Sequence, residues 1–174
     1  MSIENLKVMP QIKKTVLLTL LLFVSACGYQ LRGSIDLPEG LKSIYLQNAS
    51  AQLQKTMKKT LKSSGGQLVD KVEQAGLIVQ VIKEKMDRRV LSLSSTGRAS
   101  EYEIIYQLEF NLLDAERKAL SKTQKIEITK DYFNNQEEVL GKDNEERVIR
   151  DEMYRRAVQS IVNRSRVVLE NLER

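Results

Sequence analysis

Residues 102–112 constrain the fold of this chain more than any other stretch. Tyr102, Ile104, Tyr106, Leu108, Phe110 and Leu112 occupy the even positions, and Glu101, Glu103, Gln107, Glu109 and Asn111 the odd ones, with Ile105 breaking the rule. A period of two places alternate side chains on opposite faces of a strand, so one face must meet a core and the other water. Residues 125–132 repeat the pattern: Ile126, Ile128 and Tyr132 lie on one side, and Lys125, Glu127, Thr129 and Asp131 on the other. The polar turn at 114–118 predicts that the two strands pair antiparallel. Residues 77–82 (LIVQVI) are apolar and β-branched, as in a strand buried on both faces. Residues 42–47 form a further short strand, and 92–97 read as a loop.

Two helices supply the covering layer. Asn48 or Ser50 can cap one whose Leu53, Met57 and Leu61 recur every four residues, with Gly65-Gly66 as its stop. Residues 142–144 open the other, with Asp143 or Asn144 as N-cap and Glu145 and Glu146 at the positive end of its dipole. Its stripe is Ile149, Met153, Ala157 and Ile161, and residues 164–174 extend it or fray. The expected fold is therefore a two-layer α/β sandwich in the order β-α-β-β-β-α. Two helices cover one face of a four-stranded mixed sheet, and the other face is left to water or a partner.

Composition narrows the chemistry. A length of 174 residues with 41% hydrophobic content suits one domain with one core. With no His and a single Cys, the chain alone cannot build the usual zinc site, a Ser-His-Asp triad or a Cys-His pair. Neither a metal nor an organic cofactor is called for. Glu101, Glu103 and Glu109 could be read as acid–base carboxylates, but a wet strand face is commonly charged. Charges of both signs are interspersed and aromatics are few, which disfavours nucleic acid as a partner.

The N-terminus is ordered differently. Lys13 and Lys14 precede an apolar run at 15–24, then Ser25, Ala26 and the sole Cys, Cys27. That succession is the layout of a secretory signal peptide, and the run is too short to span a bilayer comfortably. Residues 1–8 add nothing to it and Glu4 weakens it, so translation is expected to begin at Met9. VSAC, at 24–27, resembles the lipobox of bacterial lipoproteins, in which the Cys is acylated and begins the mature chain; the alternative is cleavage near Ala26 with an incidental Cys. Gly28 follows, and the absence of Asp there points to the outer membrane. The expected organisation is a lipoprotein signal peptide at 1–26, an extended lipidated leader at 27–41, rich in the breakers Gly28, Gly33, Pro38 and Gly40, and a single domain at 42–174. Loss of Lys7, Lys13, Lys14 and Glu4 with the signal peptide lowers the formal net charge from +5 to +3.

Four passages in this order resemble the LptE (RlpB) family of lipopolysaccharide-assembly lipoproteins. They are CGYQLRG at 27–33, TGRASEYEIIYQLEF at 96–110, DYFNNQEEVLGKDNEE at 131–146 and DEMYRRA at 151–157. The resemblance implies a non-enzymatic protein that sits as a plug inside an LptD-type outer-membrane β-barrel, helps that barrel assemble, and takes part in placing lipopolysaccharide in the outer leaflet. A generic outer-membrane lipoprotein adaptor that binds another envelope protein is the alternative, because a fold does not fix a function.

The resemblance also directs attention to particular residues. Lipid A and the inner core carry phosphates and carboxylates, which Lys and Arg recognise. Lys142 matches the lysine of the family's K-D-N-E passage, implicated in lipopolysaccharide contact. The family's second basic position falls on Ser95, with Arg98 as substitute. Arg88 and Arg89 complete the expected lipopolysaccharide-binding set, in a connection (83–98) with Lys83 and Lys85 near one end of the sheet. The same charges would also serve simply to keep strand ends soluble. Phe133, Asn134 and Asn135 are the expected barrel contacts, whereas Tyr132, in register with Ile126 and Ile128, belongs to the core.

Overall fold

The computed structural model describes residues 37–133 and 142–172, with the side chains of the last helix described from 145 onward. The expected signal peptide, Cys27, most of the leader, Asn134, Asn135 and the side chain of Lys142 lie outside the described residues.

The described chain runs α1 (Glu39–Lys42), β1 (Ser43–Gln47), α2 (Ala51–Ser63), β2 (Gln67–Val69), a 3-10 turn (Val72–Gln74), β3 (Leu77–Leu93), β4 (Ala99–Leu113), β5 (Gln124–Phe133) and α3 (Lys142–Leu172). The strands form one sheet in the order β2-β1-β3-β4-β5. β1 is parallel to both β2 and β3, whereas β3, β4 and β5 form an antiparallel meander. The mixed two-layer sandwich is as expected, but the sheet has five strands, not four. The extra one, β2, is a three-residue segment too short to show a periodicity, and it exists because the β1–α2–β2 crossover lays it beside β1.

Local signals explain the element ends. The Ser50 hydroxyl caps α2 by accepting from the Leu53 amide at 3.2 Å. Gly65, at φ +78°, ends α2, and the amides of Ser64 and Gly66 both donate to the Leu61 carbonyl. α3 begins at Lys142, just before its expected caps, and continues to Leu172 instead of fraying at 164. Residues 39–42, expected to run extended, form one helical turn, and Leu37 and Leu41 are buried in the core.

The principal core lies between the sheet and the two long helices. Leu53, Met57 and Leu61 of α2 and Met153, Ala157 and Ile161 of α3 meet Ile44, Leu77, Val79 and the even face of β4. A smaller cluster occupies the opposite face near the 3-10 turn, where Ala75, Ile78 and Leu113 gather with Tyr45, Val69 and Val72. That is why β3 begins as a strand buried on both faces.

The largest departure from expectation is the length of β3. Residues 83–93 are not a connection but a continuation of the strand, paired with β4 as far as Leu93. A bulge at Ile82, between the pairs Val81–Phe110 and Lys83–Glu109, keeps the later residues in register. β1 pairs with β3 only as far as Gln80, so beyond that point β3 is itself a sheet edge. Charged residues at 83–89 blunt such an edge, which hides its strand character from a hydrophobic pattern.

Candidate functional site

The long β3–β4 hairpin decides where the candidate basic residues go. Arg88 and Arg89 are adjacent on β3, so the pleat sends them to opposite faces. Arg88 stands opposite Ile104 on the helix side, and Arg89 opposite Glu103 on the open side, where the two ion-pair. Arg98 ends the hairpin turn, closed by Ser94 and Arg98 backbone pairing at 2.7 Å and by Gly97 at φ +75°. From Arg88 to Leu93 the strand advances roughly 17 Å. The structure therefore separates Arg89 from Arg88 by face and Arg98 by distance, correcting the expectation of one basic cluster in a loop.

Lys142 is placed otherwise. It starts α3 one helical turn before Glu146, about 6 Å along the axis. Glu146 is the hub of the helix-side end of the sheet. Its Oε2 accepts from the Tyr132 hydroxyl at 2.7 Å and from Arg88 Nη1 at 3.0 Å, while Oε1 accepts from Arg150 Nε at 2.8 Å. The Arg88 guanidinium also lies 4.7 Å from the centre of the Tyr102 ring, which stacks on Tyr132 at 5.6 Å. Thus the end of β5 and the first turn of α3, which flank residues 134–141, are tied to one carboxylate. The start of α3 is thereby brought toward Arg88.

The electrostatics follow from these contacts. Burial works against the charged form of Glu146, but hydrogen bonds from Tyr132, Arg150 and Arg88 outweigh it and hold the carboxyl below its ordinary value. Tyr132 is pushed up by burial and by donating to Glu146, with Arg88 opposing. Bonds to Tyr132 and Glu146 raise Arg88. Sequence reading placed Tyr132 in the core, where it is, but missed Glu146. The available signal was the shared core-face register of Tyr102 and Tyr132, paired directly across β4 and β5.

A second carboxylate organises the other side of this end. Glu84 Oε2 accepts from the Ser50 amide at 2.8 Å, and Oε1 accepts from the Ser50 hydroxyl at 2.6 Å and the Tyr106 hydroxyl at 3.0 Å. A carboxylate from β3 thus sits at the N-terminus of α2, where its charge is favoured. The Tyr106 phenol is pushed far up, first by burial and then by the Glu84 charge.

The open face carries the odd residues of β4. Glu109 pairs with Lys125 at 3.4 Å, and Gln107 donates to Glu127 at 2.9 Å across β4–β5. Glu103 and Glu109 are thus structural partners of cations. Phe133 closes β5 opposite Glu101 on this face and is 73% exposed. Among the described residues, no group of acidic or Cys side chains is arranged to hold a metal ion, and no helix is long and apolar enough to cross a membrane.

Comparison with known proteins gives this geometry its context. The family model described as LptE, lipopolysaccharide-assembly, matches residues 41–165. The chain belongs to the LptE family. Among curated relatives, the LPS-assembly lipoprotein LptE of Pectobacterium atrosepticum is 24% identical over 86% of this chain and 83% of its own length. That of Yersinia enterocolitica is 26% identical over 88% of this chain and 75% of its own. The LptE fold is also matched by solved structures. Lipoprotein B from Nitrosomonas europaea superposes with a TM-score of 0.66 at 28% identity, covering 82% of this chain and 93% of that one. The rare lipoprotein B from Shewanella oneidensis gives 0.63 at 27%, covering 76% and 99%.

Proposed function

We propose that this LptE-family chain is a non-enzymatic lipoprotein of the outer membrane that works in lipopolysaccharide assembly as the plug of an LptD-type β-barrel, binding lipopolysaccharide and supporting assembly of the barrel. The observation that carries the reading is the family match across 41–165, most of the mature chain. The fold supports it physically: a sandwich with one face sealed by helices and the other polar can sit in a water-filled lumen without burying unpaired charge. In this reading the signal peptide is 1–26, Cys27 carries the acyl anchor, and 27–41 leads into the domain at 42–174. Three acyl chains would hold the protein firmly, since stable anchoring takes at least two.

The lipopolysaccharide contacts in this proposal are Lys142 and Arg88 at the start of α3, with Arg89 and Arg98 as separate contacts on the open face and the hairpin tip. Phe133, Asn134 and Asn135 face the barrel. The exposed Phe133 ring supports that role, because aromatics give much interface energy at little entropy cost.

Copurification tests the partner. The chain is pulled from solubilised outer membrane, and an LptD-type barrel should accompany it in one-to-one ratio; its absence would favour the adaptor reading. Lipopolysaccharide binding by Lys142→Asp with Arg88→Asp should fall at least tenfold, the effect of about 1.4 kcal/mol, and undiminished binding would reject the site.

A further inference from the structure

The longest run of basic residues on one helix face lies on α2, away from the contacts described above. α2 contains Lys55, Lys58, Lys59 and Lys62 and no acidic residue. Their spacing of i, i+3, i+4 and i+7 places all four on one stripe about 10 Å long. All four are exposed, on the side opposite the fully buried Leu53, Met57 and Leu61. None is ion-paired to a described residue, whereas eight ion pairs join cations to acids elsewhere among the described residues. Arg155 of α3 extends the array. With Lys55, Lys59, Gln52, Thr56 and Asp151 it lines a depression of about 180 Å³ between the helices. The Asp151 carboxylate there already accepts from the Gln52 amide at 2.8 Å, leaving three cations around one acid.

We infer that the outer face of α2, with Arg155, is a docking surface for a bilayer rich in anionic phospholipid headgroups. The apolar face of α2 is consumed by the protein's own core, so the stripe has no anchor residue of the kind a protein interface needs. It also cannot insert into acyl chains. What it offers is an open row of flexible ammonium groups, which complements a plane of phosphates and acts over about one Debye length. Such a contact would hold the outer face of α2 at the membrane surface in the lipid-anchored chain before it enters a barrel. It goes beyond the lipopolysaccharide-assembly reading, since it requires neither a barrel nor the glycolipid.

The test uses the full chain as the cell matures it, reconstituted on phosphatidylcholine vesicles with or without phosphatidylglycerol. Amine-reactive labelling of Lys55, Lys58, Lys59 and Lys62 should fall several-fold only where phosphatidylglycerol is present, while the exposed Lys83 on the open sheet face labels equally on both. Salt at about 1 M, where the Debye length is about 3 Å, should restore labelling. Equal labelling of the stripe on both vesicles would overturn the inference. So would protection given by lipopolysaccharide micelles but not by phosphatidylglycerol, which would assign the stripe to the glycolipid. In a chain carrying Lys55→Gln, Lys58→Gln, Lys59→Gln and Lys62→Gln, phosphatidylglycerol should no longer slow amide exchange in α2; slowing that survives would also overturn it.

Discussion

The two ends of the β3–β4 hairpin are built from the same two strands and have opposite fates. At the end beside β1, Leu77, Val79, Phe110 and Leu112 are almost entirely buried under α2 and α3, and Ile78 is buried on the reverse face. At the other end Val90 is 50% and Leu93 64% exposed. Between them Arg88, Tyr102, Tyr132 and Glu146 hold the sheet to the start of α3 by charge and aromatic contact. The covered end thus derives its stability from apolar burial and the overhanging end from a few polar contacts, which leaves the latter the part able to accommodate a partner.

Breaking this contrast should cost most where helices and sheet meet. Phe110→Ala empties a fully buried ring site and should destabilise the fold by about 3–5 kcal/mol in denaturant unfolding. Gly76→Ala comes next, because a Cβ there would stand 3.1 Å from the Gly40 backbone, which cannot swing aside as a side chain would. A loss of about 1–3 kcal/mol is expected. At the overhang, Glu146→Gln weakens three donors' contacts at once, and about 1–2 kcal/mol is expected. Amide exchange should accelerate at the end of β5 and the first turn of α3 while the β1–α2 region keeps its protection. Smallest of all, Leu93→Ser should shift stability by no more than about 0.5 kcal/mol. A large loss there would mean that the overhang is covered after all.

The same comparison predicts a pH profile. Glu146 is held below its ordinary 4.5, so its contribution is fully present above that value and is lost as pH falls through the lower value of the folded state. Tyr106 and Tyr132 are held above their ordinary 10.0, so their contributions are present below pH 10 and are lost as pH rises through the folded values. Thermal unfolding from pH 3 to 11 should therefore show acid loss centred on the overhang. Glu146→Gln should flatten the acid limb and reduce the share of Tyr132 in the alkaline one, leaving the share of Tyr106, which rests on burial and Glu84.

What could be read in advance was whatever one element writes into its own periodicity. Leu53, Met57 and Leu61 announced α2, Met153, Ala157 and Ile161 announced α3, and the even residues of β4 announced a half-buried strand. Asn48 or Ser50 at one end and Gly65-Gly66 at the other marked the limits of α2, because caps and left-handed turns are local requirements, and the structure selects Ser50 as the cap. The passages shared with the LptE family pointed to the family that the match across 41–165 then showed. The candidate site was less legible. Listing Arg88, Arg89 and Arg98 together followed from reading 83–93 as a connection, and three basic residues close in sequence need not share a face or an end.

Sequence alone determined the α/β class, the faces of the long elements and the order of the segments, because side-chain periodicity and capping act within a few residues. Only the tertiary structure decided that β2 exists, that β3 runs on past Gln80, and that Glu146 joins β5, α3 and Arg88. Each of those depends on a partner far away in the chain: a strand needs a neighbour to complete its hydrogen bonds, and a carboxylate needs donors that only folding brings within 3 Å.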